Sequence, residues 1–101
     1  VPQPRNHRSG DHYYVMKVNG DSLSGVHILS GDWIVYRVSQ TANPGQLCVF
    51  ATPHGETVKF FWPQADGTII LRSANPDYPD QSWQQEEIQI RGIVVQSGRD
   101  W

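Results

Sequence analysis

Two residues have types that together could support nucleophilic chemistry: Ser22, in the stretch VNGDSLSG (18–25), and Lys59, in ETVKFFW (56–62). A serine hydroxyl attacks nothing until a base takes its proton, so Ser22 alone reads equally well as part of an ordinary polar turn after a strand. Lys59 is the base the chain offers. It sits inside the most apolar run; read as a strand, that run puts Phe61 on the face of Lys59 and Val58, Phe60 and Trp62 on the other. An unperturbed lysine titrates near pH 10.4 and cannot accept a proton at neutrality, but burial disfavours the ammonium and lowers that value by up to about 3–5 units. A shift of about 3 units corresponds to roughly 4 kcal/mol against the charged form, which demands real burial and not mere proximity. The other reading is a lysine on an edge strand that discourages aggregation. Residue type and position leave both open.

Other chemistry has less support. His7, His12, His27 and His54 are scattered without any pairing that resembles a metal site, and Cys48 has no second cysteine with which to hold zinc. No metal and no cofactor is therefore expected. A triad of Ser22, His27 and Asp32 would crowd three groups into one short connection, and VNGDSLSG lacks the strand-to-helix context of a nucleophile elbow. Cys48, in QLCVFA, reads as a small core residue. Asp66, Asp77, Asp80, Glu86 and Glu87 fall in turns or at a strand start, with no pair marked for acid–base work.

The elements that must position Ser22 and Lys59 are strands. Short apolar runs at 13–19, 33–38, 46–52, 56–62, 68–72 and 87–96 alternate with Gly and Pro punctuation, and no helical stripe appears; residues 24–29 hold at most one turn. Tyr14, Met16 and Val18 share one face of the first run, and Ile34, Tyr36 and Val38 repeat the period of two in the second. TPHG (52–55) and QADG (64–67) read as hairpin connections. In the last run the alternation of Ile88 and Ile90 fails beyond Gly92, where Ile93, Val94 and Val95 follow one another. A bulge at the glycine, or burial of both faces beyond it, accounts for the change, and either suits a strand that leaves its own sheet.

With 101 residues, 38% hydrophobic, 18% charged and 11% aromatic, the chain fits one globular domain with a single core. Residues 1–11 (VPQPRNHRSGD) read as a linker or disordered arm and 12–101 as the domain. A net charge of −2 provides no basic footprint for a phosphate backbone, so any DNA contact is expected outside this domain. One cysteine, no run long enough to span a bilayer and no signal-peptide pattern point to a cytoplasmic domain without a membrane partner.

The order of motifs adds a resemblance. VNGDSL (18–23), ILSGDWIVY (28–36), PGQLCVF (44–50), GETVKFF (55–61), ILRSANPDY (70–78) and IRGIVV (90–95) resemble, in that order, the C-terminal domain of LexA, of phage repressors related to the lambda repressor, and of the polymerase accessory protein UmuD. The likeness runs over roughly residues 13–97. Each motif alone is weak; the set, with Ser22 and Lys59 37 positions apart, is specific. Bacterial signal peptidases are more distantly similar, but their membrane anchor and large insertion have no counterpart here.

This resemblance implies a mostly β fold of the LexA and signal-peptidase type, with several curved antiparallel sheets around a shallow cleft. It implies Ser22 as nucleophile, Lys59 as general base, and the backbone amides of Asp21 and Ser22 as oxyanion donors, on a tight turn that explains Gly20. Gly31 and Asp32 match a structural turn, Asn75 and Pro76 a loop on the far side of the fold, and none of these four is given a catalytic role. Leu23 stands where the family commonly has methionine, an apolar exchange of little consequence. The implied function is the self-cleavage and dimerisation module of a LexA-like or prophage repressor in the DNA-damage response. Its implied partners are a second copy, a RecA filament as co-protease, and DNA through a missing N-terminal domain. The alternative is a non-catalytic dimerisation module or a UmuD-like polymerase accessory protein. The C-terminal strand is the expected dimer surface. Family members usually cut an Ala-Gly or Cys-Gly bond ahead of the serine; residues 1–21 contain neither, and Ser9-Gly10 is too close to the first strand. The expectation is a chain that begins within or beyond the linker, or else a natural variant that no longer cleaves.

Overall fold

Consecutive apolar residues produce strands that are buried on both faces at the centre of one sheet. The structure, a computed structural model, describes residues 11–99. Its strands are β1 (Tyr13–Lys17), β2 (Trp33–Val38), β3 (Leu47–Thr52), β4 (Gly55–Pro63), β5 (Thr68–Arg72), β6 (Gln81–Gln84) and β7 (Gln89–Gly98), with single 3-10 turns at Ser24–Val26 and Gln85–Glu87. All pairings are antiparallel, in the order β1-β2-β7-β3-β4-β5-β6. The mostly β, antiparallel expectation holds, with the strands joined in one continuous seven-stranded sheet where several sheets were anticipated. The expected arm, Asp11 apart, lies outside the described residues, as does Ser9-Gly10. Among the described residues no helix is long and apolar enough to cross a membrane.

β3 shows how the period of two builds the core. Val49 points into one cluster, with Val18, Leu23, Ile28, Ile34 and Val58, while its neighbours Cys48 and Phe50 join Phe61, Ile69, Leu71 and Ile88 in a second. Cys48, Val49 and Phe50 are all fully buried, as expected of a strand covered on both sides. The TPHG and QADG connections are the expected hairpins, with Gly55 and Gly67 at positive φ. β6 was not anticipated: QSWQ has one apolar residue and no alternation, because an edge strand needs only one partner, here β5. The strand expected from residue 87 begins at Gln89, since Glu87 closes a capping box with Gln84 in the preceding 3-10 turn.

The irregularity in β7 is a pair of bulges. Against β3, Val49 faces Gly92 and Phe50 faces Ile90, leaving Arg91 as the extra residue; against β2, Val95 is extra between Gln96 and Val94. Gly92 has no room for a side chain: a Cβ there would stand 2.4 Å from the carbonyl oxygen of Arg37 and 2.5 Å from Cδ2 of Tyr36. The bulge expected at this glycine is therefore present, but the strand does not leave its sheet. β7 joins the two halves: residues 89–93 pair with β3 and residues 92–98 with β2, so only Gly92 and Ile93 are paired on both sides and the stretch beyond Ile93 has no strand on its β3 side. Leu71, fully buried in the second cluster, tests how much this two-sided core contributes. Leu71→Ala is expected to cost about 2–5 kcal/mol, read as a lower urea midpoint with an unchanged denaturant slope.

Candidate active site

The turn after β1 is shaped by one glycine and one buried leucine. Gly20 takes φ +87°, a conformation costly for any residue with a Cβ, and its N–H donates to Ser30 Oγ at 3.2 Å. Leu23, 1% exposed, anchors the turn in the first core cluster, while the Ser24 N–H closes it on the Asp21 carbonyl at 3.1 Å. Ser22 thus sits between a fixed entry and a fixed exit, half-buried at the wall of a cleft of about 280 Å³. Leu23 fills the apolar role expected of the residue after the serine.

β4 brings Lys59 to the same cleft. Its side chain is 6% exposed, and its Nζ donates a hydrogen bond to Ser22 Oγ at 3.1 Å. No ion pair among the described residues involves Lys59, so the cost of burying its ammonium goes uncompensated. Desolvation holds its pKa below that of an ordinary lysine, which favours the neutral amine. A neutral amine at this separation is placed to accept the serine proton. Lys59 does lie on the stretch of β4 that pairs only with β3, but the anti-aggregation role is overturned, because its side chain is buried against Ser22 and not presented to solvent. The N–H groups of Asp21 and Ser22 have no acceptor among the described residues and remain available to a ligand.

The chain between β5 and β6 contributes what sequence reasoning missed. Asn75 does not lie on the far side of the fold: its Nδ2 donates to the Asp21 carbonyl at 3.0 Å. The Ala74 N–H donates to the Ser22 carbonyl at 2.7 Å, and the Tyr78 hydroxyl donates to Asp21 Oδ1. That last contact, first among its causes, raises the Tyr78 pKa. The fit is close enough that a Cβ on Gly25 would stand 1.8 Å from the Ala74 carbonyl oxygen. The asparagine of ANPDY carried a family match but no local signal of where its side chain points.

The remaining expectations sort by position. Asp32, 5% exposed, accepts from the Leu29 N–H at 2.7 Å and from Arg99 Nε at 2.8 Å, while Arg99 also reaches the His27 carbonyl. These bonds hold the Asp32 pKa down, the Leu29 contact most. With its carboxylate so engaged and Ser22 bonded to Lys59, a Ser22, His27 and Asp32 triad is not formed. Gly31, at φ +90°, and Asp32 make the structural turn expected of them. Cys48 is a core residue whose thiol burial pushes up to about 11. Among the described residues no three His, Cys, Asp or Glu side chains converge as a metal site would require. A larger apolar hollow of about 740 Å³, lined by Tyr14, Tyr36, Phe61 and Ile88 among others, contains neither Ser22 nor Lys59.

Burial of Lys59 has a sign in stability. Below its lowered folded-state pKa both states are protonated, and the fold bears the full cost of the buried ammonium. Between that value and the ordinary one near 10.4 the unfolded chain binds more protons, so stability rises with pH and the cost fades. Lys59→Met is therefore expected to raise the thermal midpoint at pH 7 and to lose that advantage as pH approaches 10. Each 1 kcal/mol relieved is worth about 4–8 °C in a domain of this size, readable by calorimetry.

Comparison with known proteins identifies the family. Residues 2–95 match the family model described as Peptidase S24-like. The LexA repressor of Ruegeria sp. (strain TM1040) is 34% identical over 97 residues, covering 94% of this chain and 39% of that protein. The LexA repressor of Pelagibacter ubique (strain HTCC1062) is 27% identical over 101 residues, 100% of this chain and 45% of the relative. That of Deinococcus radiodurans is 29% identical over 90 residues, 87% and 41% respectively. The chain thus spans about two fifths of the length of the curated relatives it matches. It is a member of the Peptidase S24-like family, homologous to part of the LexA repressors.

Proposed function

We propose that this chain is the self-cleaving regulatory domain of a LexA-like repressor, with Ser22 as nucleophile and Lys59 as general base. One observation carries the reading: the buried Nζ of Lys59, without a counter-ion among the described residues, lies 3.1 Å from Ser22 Oγ. In the proposed reaction the neutral Lys59 amine takes the proton of Ser22 as Oγ bonds to the carbonyl carbon of a linker peptide bond. The N–H groups of Asp21 and Ser22 receive the negative charge that develops on the carbonyl oxygen. The lysine then gives its proton to the departing amine, the C–N bond breaks, and water releases the acyl group from Ser22.

The cleft suits an extended substrate. Met16 and Lys17 of β1 line it on one side and Glu56, Thr57 and Val58 of β4 on the other. β1 pairs only with β2, and residues 55–59 of β4 pair only with β3, so both strands have a free edge to offer a peptide. In the same proposal the domain acts as a cytoplasmic homodimer and touches DNA through a separate domain. A RecA-type filament favours the cleavable conformation without supplying catalytic groups. A dimer contact on β7 would use the stretch beyond Ile93, which pairs only with β2 and where Val95 is exposed.

Full-length repressor incubated at pH 7 to 10 is expected to cleave its linker at a rate that rises with pH and levels off below the ordinary titration of lysine. Ser22→Ala and Lys59→Ala should each lower that rate by at least about 10²-fold, the low end for loss of a positioned base. Cleavage by Lys59→Ala at the unaltered rate would remove the dyad from consideration.

A further inference from the structure

We propose that Asn75 is a positioning residue for the oxyanion site, acting through the peptide unit that joins Asp21 to Ser22. The inference rests on the Ser22–Lys59 reading above and extends it to a group that touches no reacting atom. In a trans peptide the carbonyl and the N–H point in opposite directions within one plane, so whatever fixes the Asp21 carbonyl also fixes the direction of the Ser22 N–H. Two donors hold that carbonyl: the Ser24 N–H at 3.1 Å and Asn75 Nδ2 at 3.0 Å. The Ser24 bond lies within the turn and rotates with it. Asn75, 54 positions away in sequence, belongs to a different part of the fold and ties the peptide to an external frame.

That frame is itself oriented. Asn75 Oδ1 accepts from the Asp77 N–H at 2.9 Å, which leaves Nδ2 facing Asp21, and the Tyr78 N–H closes the loop on the Asn75 carbonyl at 3.0 Å. The same loop holds the other side of Ser22, through the Ala74 N–H on the Ser22 carbonyl, and the Asp21 side chain, through the Tyr78 hydroxyl. Both peptide units that flank the serine are thus referred to residues 74–78. A donor on the Asp21 carbonyl also polarises the amide, so the Ser22 N–H becomes a better donor as charge develops opposite it. Asn75 acts before the reaction by orientation and during it by polarisation.

The test is the rate at which an alkyl fluorophosphonate modifies the chain between pH 6 and 11. In that reaction Ser22 Oγ bonds to phosphorus, fluoride leaves, Lys59 takes the serine proton, and the phosphoryl oxygen occupies the oxyanion position. Asn75→Ala is expected to lower the high-pH plateau about tenfold, less than the 10²–10³-fold typical of deleting an oxyanion donor outright, with the midpoint of the pH profile unmoved. Asn75→Ser keeps a side-chain oxygen for the Asp77 N–H and hence the shape of the loop, but cannot reach Asp21. It should show the same loss. A wild-type plateau in Asn75→Ser, or a midpoint that moves in either variant, overturns the inference, because the asparagine would then serve only the loop or act on Lys59. Modification of the unaltered chain no faster than of Lys59→Ala overturns the dyad itself, and this inference with it.

Discussion

A lysine amine held out of water against a serine hydroxyl, with no carboxylate paired to it among the described residues, is the constraint on which the rest of this structure depends. A buried ammonium without a counter-ion is costly, so the amine is driven toward its neutral form. That form is useless in a stabilising role and useful as a base. The fold provides the burial: β4 pairs with β3 at Lys59, and Leu23 plugs the turn that brings Ser22 over the strand. Stability is thereby given up at one position to hold an amine whose pKa lies below that of an ordinary lysine, a pattern common at functional sites.

The turn carrying the serine is held from three directions, each with a different physical basis. Gly20 admits a backbone conformation closed to other residues, Leu23 supplies apolar burial, and residues 74–78 supply hydrogen bonds across the cleft wall. The neighbouring turn at Gly31 and Asp32 is fixed separately, by a buried carboxylate shared between the Leu29 N–H and Arg99. Near-complete burial of Asp32 makes that pairing structural, whatever its sequence proximity to Ser22 and His27 suggests.

Much of the fold was legible because alternation is a strong signal where strands are half or fully buried. The runs at 33–38 and 68–72 coincide with β2 and β5, and the broken alternation beyond Gly92 marked a real bulge. β6 was invisible because a polar edge strand has no apolar period to display. The neighbours of β7 were not legible for a related reason: a bulge shows that a strand is irregular, not which strands it pairs with. Ser22 and Lys59 could be singled out by residue type, and the order of motifs joined them; only the fold shows that their side chains meet. The Asn75 and Tyr78 contacts left no trace, since a hydrogen bond to a backbone carbonyl distant in sequence imposes no local pattern.

The central claim is that Lys59 is neutral when Ser22 needs its proton taken. Its ionisation can be followed directly by NMR in chain carrying 13C-labelled lysine, with Lys59→Met supplying the assignment against Lys17. A Lys59 midpoint well below the ordinary value near 10.4 is the predicted result. A Lys59 midpoint at or above that of Lys17 would contradict the account.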